Sequence, residues 1–244
     1  MNCGRITGLV CCALMLPMLL AAKPASSRLF KDAKPVEFFS AMEEGELEAK
    51  FVAKDATQAT LIVENRTKKP LRIALPATFA GVPVLAQQGG GLGGDFGGGF
   101  GGGGGFMNVA PERTQKVKIA TVCLEHGKKD PNPRVAYKIV PLKSFTSDPL
   151  VHSVCETLGR NKIDQVSAQA AAWHFTDGLT LQQLANKVKT KHLNGTRTMY
   201  FNALNLKRAS QLVQFAKAKA AKAKTEKSPG ETTEDLASAD EAKL

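Results

Sequence analysis

Cysteine, large polar aromatics and acidic side chains are all scarce in this 244-residue chain. Cys3, Cys11 and Cys12 crowd the extreme N-terminus, so only Cys123 and Cys155 remain for the rest, enough for one disulfide. Two tyrosines and one tryptophan are too few for the interleaved aromatic and basic residues that stack nucleic-acid bases, which speaks against a nucleic-acid partner. No pair of carboxylates shows the pattern of acid–base machinery. No segment has the nucleophile elbow or oxyanion hole of a Cys/His hydrolase. Beyond residue 22 no apolar run approaches the roughly 20 residues that span a bilayer.

The one long apolar run lies at the N-terminus. Arg5 precedes an almost unbroken apolar stretch over 6–22, and Ala25-Ser26-Ser27 follows with small residues. A charged head, an apolar middle and a small-residue exit predict a secretory signal over residues 1–27. The protein is then exported, secreted or periplasmic; the alternative is anchorage by an uncleaved N-terminal segment. Export places Cys123 and Cys155 in an oxidising compartment. Loss of residues 1–27 removes Arg5, Lys23 and no acid, leaving +9 of a formal +11. A charge of that sign suits an acidic envelope polymer or surface, or else a merely solvated basic exterior.

Period-two alternation marks the first half. Leu47, Ala49, Phe51 and Ala53 share one face, with Glu46, Glu48 and Lys50 on the other. Residues 60–64 and 71–75 read as further strands joined by a polar turn over 65–70. Segments 116–124 and 134–140 alternate again, with Val117, Ile119 and Cys123 on one face. Between 71–75 and 116–124 lies 89–106, where 13 of 18 residues are glycine, a composition that predicts a mobile loop. It lacks the lysine and the strand–helix context of a phosphate cradle. From 148 the period turns helical. Asp148-Pro149 opens one helix, Asn161 is expected to cap a second, and Thr180-Leu-Gln-Gln183 forms a capping box. A last helix starts near Asn205, runs into lysine and alanine, and gives way to an acidic tail expected to be disordered over 225–244. The expected fold is α+β: a small antiparallel β-sandwich of immunoglobulin-like type over 36–142 carrying the Gly-rich loop 89–106, then a helical subdomain over 148–216.

One constellation could carry chemistry, and the residues leave three readings open. Cys123 and Cys155 are both expected to face inward and would form a disulfide stapling the β unit to the helices, contributing about 3 kcal/mol. Cys123-x-x-His126 and His152-x-x-Cys155 together supply the ligand count of a tetrahedral zinc site in a zinc-stabilised exported module. Gln169 stands beside a buried helical stripe (Val166, Ala170, Trp173), where an unbonded amide would cost about 1–3 kcal/mol. The segment Gln169-Ala-Ala-Ala-Trp173 resembles the glutamine motif of bacterial surface thioester domains, a Thr-Gln-x-Ala-Ile-Trp pattern with a cysteine upstream. Here Ala168 and Ala172 replace the threonine and isoleucine. That resemblance implies Cys123 as acyl carrier and Gln169 as acyl donor in a covalent adhesin. Hydrogen bonding of Gln169 to a backbone group is the non-chemical alternative.

Three segments (64–71, 121–131 and 168–174), with a glycine tract between the first two, resemble exported proteins of planctomycete bacteria. The resemblance spans most of 40–215 and implies export but no particular activity. A non-enzymatic interaction or envelope role is expected, without a cofactor.

Overall fold

The computed structural model describes residues 35–84, 96–99 and 105–226, together with Phe30 and Ala33. The expected signal over 1–27, most of the glycine tract and residues 227–244 lie outside the described residues. In chain order the strands are β1 (Pro35–Glu37), β2 (Leu47–Ala53), β3 (Gln58–Asn65), β4 (Leu71–Ala74), β5 (Thr78–Pro83), β6 (Phe96–Gly99), β7 (Phe106–Val109), β8 (Thr114–Cys123), β9 (Tyr137–Pro141), β10 (Val188–Lys191) and β11 (Arg197–Met199). The helices are α1 (Phe38–Glu43), α2 (Leu142–Phe145), α3 (Pro149–Gly159), α4 (Gln165–Thr176), α5 (Leu181–Ala185) and α6 (Ala203–Glu226).

The α+β class holds, with mostly antiparallel pairing, but the strand order is not that of a sandwich. Strands β2-β3-β8-β6-β5-β9 close into a barrel, and β1-β4-β7 form a separate three-stranded sheet in which β1 and β4 run parallel. Closure follows from β9, which pairs along β5 and also meets β2 at Phe51↔Tyr137. A sheet curled onto itself encloses one interior and leaves no second inner face for an immunoglobulin-like partner sheet. Strands β3 and β4, joined by the 65–70 turn, do not pair with each other, because β4 belongs to the side sheet. Part of the glycine tract is a strand rather than a loop: β6 lies between β5 and β8, opposite 78–81 and 121–123. Three of its four residues are glycine, which lets α3 pack close to its backbone.

Two cores result. Phe51, Leu61, Val63, Phe79 and Ile119 fill the barrel interior and continue onto Phe38, Ile73 and Val109 of α1 and the side sheet. Val154, Cys155, Leu158, Ala170, Trp173 and Leu212 of the helices pack on the barrel's outer wall at Ala80, Val122 and Leu124. The 65–70 turn is organised by Asn65, 1 % exposed, whose Nδ2 donates to the carbonyls of Lys69, Val109 and Ala110. Its Oδ1 accepts from the N–H and hydroxyl of Thr67, so this buried amide leaves no polar atom unpaired.

Local capping matches the sequence reading at two helices. Asp148 Oδ1 accepts the Leu150 N–H at 2.8 Å with Pro149 in the first turn, and Thr180 and Gln183 complete a capping box. The cap of α4 is Asp164, not Asn161; its carboxylate accepts from the N–H and hydroxyl of Ser167. Asn161 instead takes the left-handed conformation (φ 54°) after α3, a region asparagine tolerates.

Gly81 in β5 lies close against the Phe51 ring. A Cβ there would stand 3.0 Å from Cδ1 and Cε1 of Phe51, whose ring is held edge-on by Phe79 and Tyr137. Replacing Gly81 by alanine is expected to cost about 1–3 kcal/mol by overpacking, and by valine more. Thermal unfolding followed by circular dichroism checks this; unchanged stability for both variants would contradict the packing described.

Candidate functional site

Of the residues singled out by sequence, Cys123 and Gln169 meet at the C-terminal end of β8. Strand β3 accompanies β8 only as far as the pair Gln58↔Ala120. Beyond it, the Thr121 N–H still reaches Thr57 O at 3.0 Å, and then helix α4 takes the place of a strand. Gln165 Nε2 donates to Thr121 O at 2.8 Å. Gln169 Oε1 accepts the Cys123 N–H at 2.8 Å, and its Nε2 donates to Cys123 O at 2.7 Å. The match is geometric. One turn of helix advances about 6 Å over four residues, and two residues of strand advance about 6.8 Å. Glutamines at i and i+4 therefore meet backbone groups at j and j+2. Gln169 is 0 % exposed, and both ends of its amide are satisfied by main chain.

The same alternation separates the two cysteines. Cys123 faces the barrel side of β8 with Ile119, against Ala56 and Tyr137, whereas Val122 and Leu124 face the helices. Cys155 packs with Val122 and Leu124 on the helical side. The expected bridge is thus not brought together: the thiols lie in different clusters and both are free. Each is also made inert by burial. Burial pushes the Cys155 thiol up to about 12. Burial raises Cys123 as well, with the carboxylates of Asp130, Glu125 and Asp177 acting in the same direction. Cys123 Sγ donates to Glu125 O at 3.1 Å, not toward the Gln169 amide.

The zinc ligands do not gather either. His152 Nε2 lies 2.7 Å from Thr146 O on α3, while His126 belongs to a different group. Among the described residues no three His, Cys, Asp or Glu side chains stand close enough to hold a metal ion. His126 packs edge-on against Trp173 at 4.8 Å, with its Nε2 2.7 Å from Lys187 Nζ. Burial, then the Lys187 charge, lowers its pKa, so the imidazole is neutral and accepts from the ammonium. Lys187 Nζ also lies 5.1 Å from the Trp173 ring centre and 5.9 Å from that of Tyr200. Lys187 and Tyr200 escaped the sequence reading, because nothing in their local pattern links them to residues 126 and 173.

A groove of about 830 Å³ opens between the end of α3, the 160–164 connection and α6. Arg160, Lys162, Arg208 and Lys219 line it beside Ile163 and Phe215, the latter 54 % exposed. Two carboxylates hold its walls together: Asp164 with Arg208 at 3.0 Å, and Glu156 with Lys219 at 2.6 Å. Comparison with family models, with curated proteins and with solved structures returns no match to this chain.

Two outcomes test the β8–α4 junction. Gln169→Leu strands the Cys123 N–H and C=O in a dry core and should cost about 2–5 kcal/mol, measured by urea unfolding with the Trp173 fluorescence. In Gln169→Glu the protonated acid reproduces both hydrogen bonds, but the carboxylate cannot donate to Cys123 O. Burial raises the folded-state pKa of that glutamate above its unfolded value. Stability should therefore be near wild type in acid and fall as pH rises past the ordinary glutamate range. A flat pH profile would contradict the geometry. The thiols give the second outcome. Protein prepared without reductant should have the intact mass of two free thiols, unchanged by methylamine. Iodoacetamide should modify neither thiol until the chain is unfolded. Loss of two hydrogens or of one ammonia would overturn this reading.

Proposed function

We propose that this chain is an exported, non-enzymatic binding protein whose C-terminal third engages an acidic envelope polymer or surface. The observation that carries the reading is a segregation of charge. Residues 178–225 hold ten lysines and arginines (Lys187, Lys189, Lys191, Arg197, Lys207, Arg208, Lys217, Lys219, Lys222 and Lys224) and no aspartate or glutamate. Among the described residues only Arg208 and Lys219 of this run have carboxylate partners. The run folds into α5, the β10–β11 hairpin and α6, so the cations are concentrated on three consecutive elements that carry no acid of their own before Glu226. Such a field attracts polyanions at a range of about a Debye length, some 8 Å at physiological salt.

No helix of the described residues is long and apolar enough to cross a membrane. The last turns of α6 support a surface role. Lys217, Lys219, Lys222 and Lys224 stand among alanines and are exposed, with no apolar stripe to bury. The tied-up amide of Gln169 and the raised thiols favour a structural role for the β8 junction over a thioester adhesin. With chemistry removed from that junction, the basic sector is the feature the fold itself does not require.

The full chain should be retained on immobilised polygalacturonate at physiological salt and released well before 1 M, where screening shortens to about 3 Å. Charge reversal of Lys217, Lys222 and Lys224 together should weaken retention about tenfold or more while leaving the far-ultraviolet spectrum unchanged. Absence of retention, or retention indifferent to salt, would refute the reading.

A further inference from the structure

The β10–β11 hairpin is built unlike the rest of the molecule. Its register pairs Val188 with Met199, Thr190 with Thr198 and Lys191 with Arg197, with a bulge between Val188 and Thr190. Gly195, at φ +80°, closes the turn; its N–H donates to His192 O at 3.0 Å, and the His192 N–H donates to Thr196 O at 2.9 Å. Asn194 Oδ1 accepts from the N–H and hydroxyl of Thr196, fixing the tip. The base is equally fixed. The Tyr200 N–H donates to Lys187 O at 2.8 Å, and the Lys187 ammonium is held against His126 and the Trp173 ring. Between base and tip every residue from 189 to 199 is exposed, so neither face of the ribbon is covered.

Three features of this ribbon cost stability in the isolated protein and each points outward. Lys191 and Arg197 stand directly opposite one another, a like-charge pair that disfavours the hairpin, and neither has a carboxylate partner among the described residues. Leu193 is wholly exposed at the outermost point of the turn, and Met199 is 39 % exposed. The ribbon buries no core of its own, although two-stranded hairpins are marginal in water. An apolar tip collared by cations has the chemistry of an anionic lipid interface: the tip leaves water at the headgroup–acyl boundary while the collar meets phosphates. A hydrated acidic polymer would answer the cations but would offer Leu193 nothing to bury against.

We infer that the β10–β11 hairpin is a membrane-interface foot, with Leu193 entering an anionic phospholipid bilayer and Lys189, Lys191 and Arg197 contacting its phosphates. The inference rests on the acidic-surface reading above and names the partner of one part of that sector. Three cations and one leucine give a peripheral, reversible association on the order of that of a single myristoyl chain, about 10⁴ M⁻¹.

The test is co-sedimentation of the full chain with phosphatidylcholine vesicles, with and without phosphatidylglycerol, beside the polygalacturonate retention assay. Binding should require phosphatidylglycerol. Leu193→Ser should weaken it about tenfold, and Lys191→Glu with Arg197→Glu about tenfold or more. Leu193→Ser should leave polygalacturonate retention unchanged, since the serine alters no charge. Vesicle binding indifferent to Leu193→Ser would overturn the foot. Polygalacturonate retention without vesicle binding would also overturn the foot and leave the basic-sector reading standing. Failure in both assays would overturn both.

Discussion

Past Ala120 strand β8 has no strand on one side, and two amide side chains of α4 stand where that strand would be. Strand β8, like β5, is shared by both cores: Ile119 and Cys123 face the barrel interior, while Val122 and Leu124 face the helices. Its unpaired edge would otherwise bury the carbonyl of Thr121 and the N–H and C=O of Cys123 without partners, at about 1–3 kcal/mol each. Gln165 and Gln169 supply the missing bonds because a helical turn and a strand dipeptide have nearly the same rise. The consequence is positional. Those bonds set the height of α4 along the barrel wall, and α4 in turn seats Trp173 against His126 and presents Asp164 to Arg208 of α6.

Much of this was legible in residues 46–216, and the failures have physical causes. Alternation located β2, β3, β8 and β9 because each has one face in a core and one toward solvent or the helices. It could not locate β6, whose glycines carry no pattern, nor the short β1 and β7, each of which pairs with β4. The hairpin over 188–199 was passed over although Asn194-Gly195 flanked by Thr190 and Thr198 is a strong turn signal. Helical patterns on either side mask it. Gln169 stood out correctly as a buried amide. Its partner proved to be the main chain of Cys123, which no side-chain motif announces. The expected disulfide failed for a reason that periodicity contains: Cys123 shares the face of Ile119, whereas the helices pack on the face of Val122.

Charge follows the architecture. Glu156 and Asp164 are used to fasten α6 through Lys219 and Arg208, surface pairs worth about 0–1 kcal/mol each and more useful for placement than for stability. Apart from Lys187, the other cations in 178–225 face solvent, on α5, the β10–β11 hairpin and α6, whose inward residues Leu184, Ala209, Leu212 and Val213 belong to the helical core. Stability thus resides in the barrel and the inner helices, while the basic sector is carried on their outside.

The central claim is that the glutamine clamp makes barrel and helices one cooperative unit, and hydrogen exchange at the Cys123 amide tests it most directly. Its N–H is held by a side chain of the opposite layer, so exchange should proceed only through global unfolding, as slowly as the Leu61 amide in the barrel. Exchange of Cys123 as fast as the exposed amides of the 192–196 turn would mean that the helical layer detaches on its own, and would contradict the account.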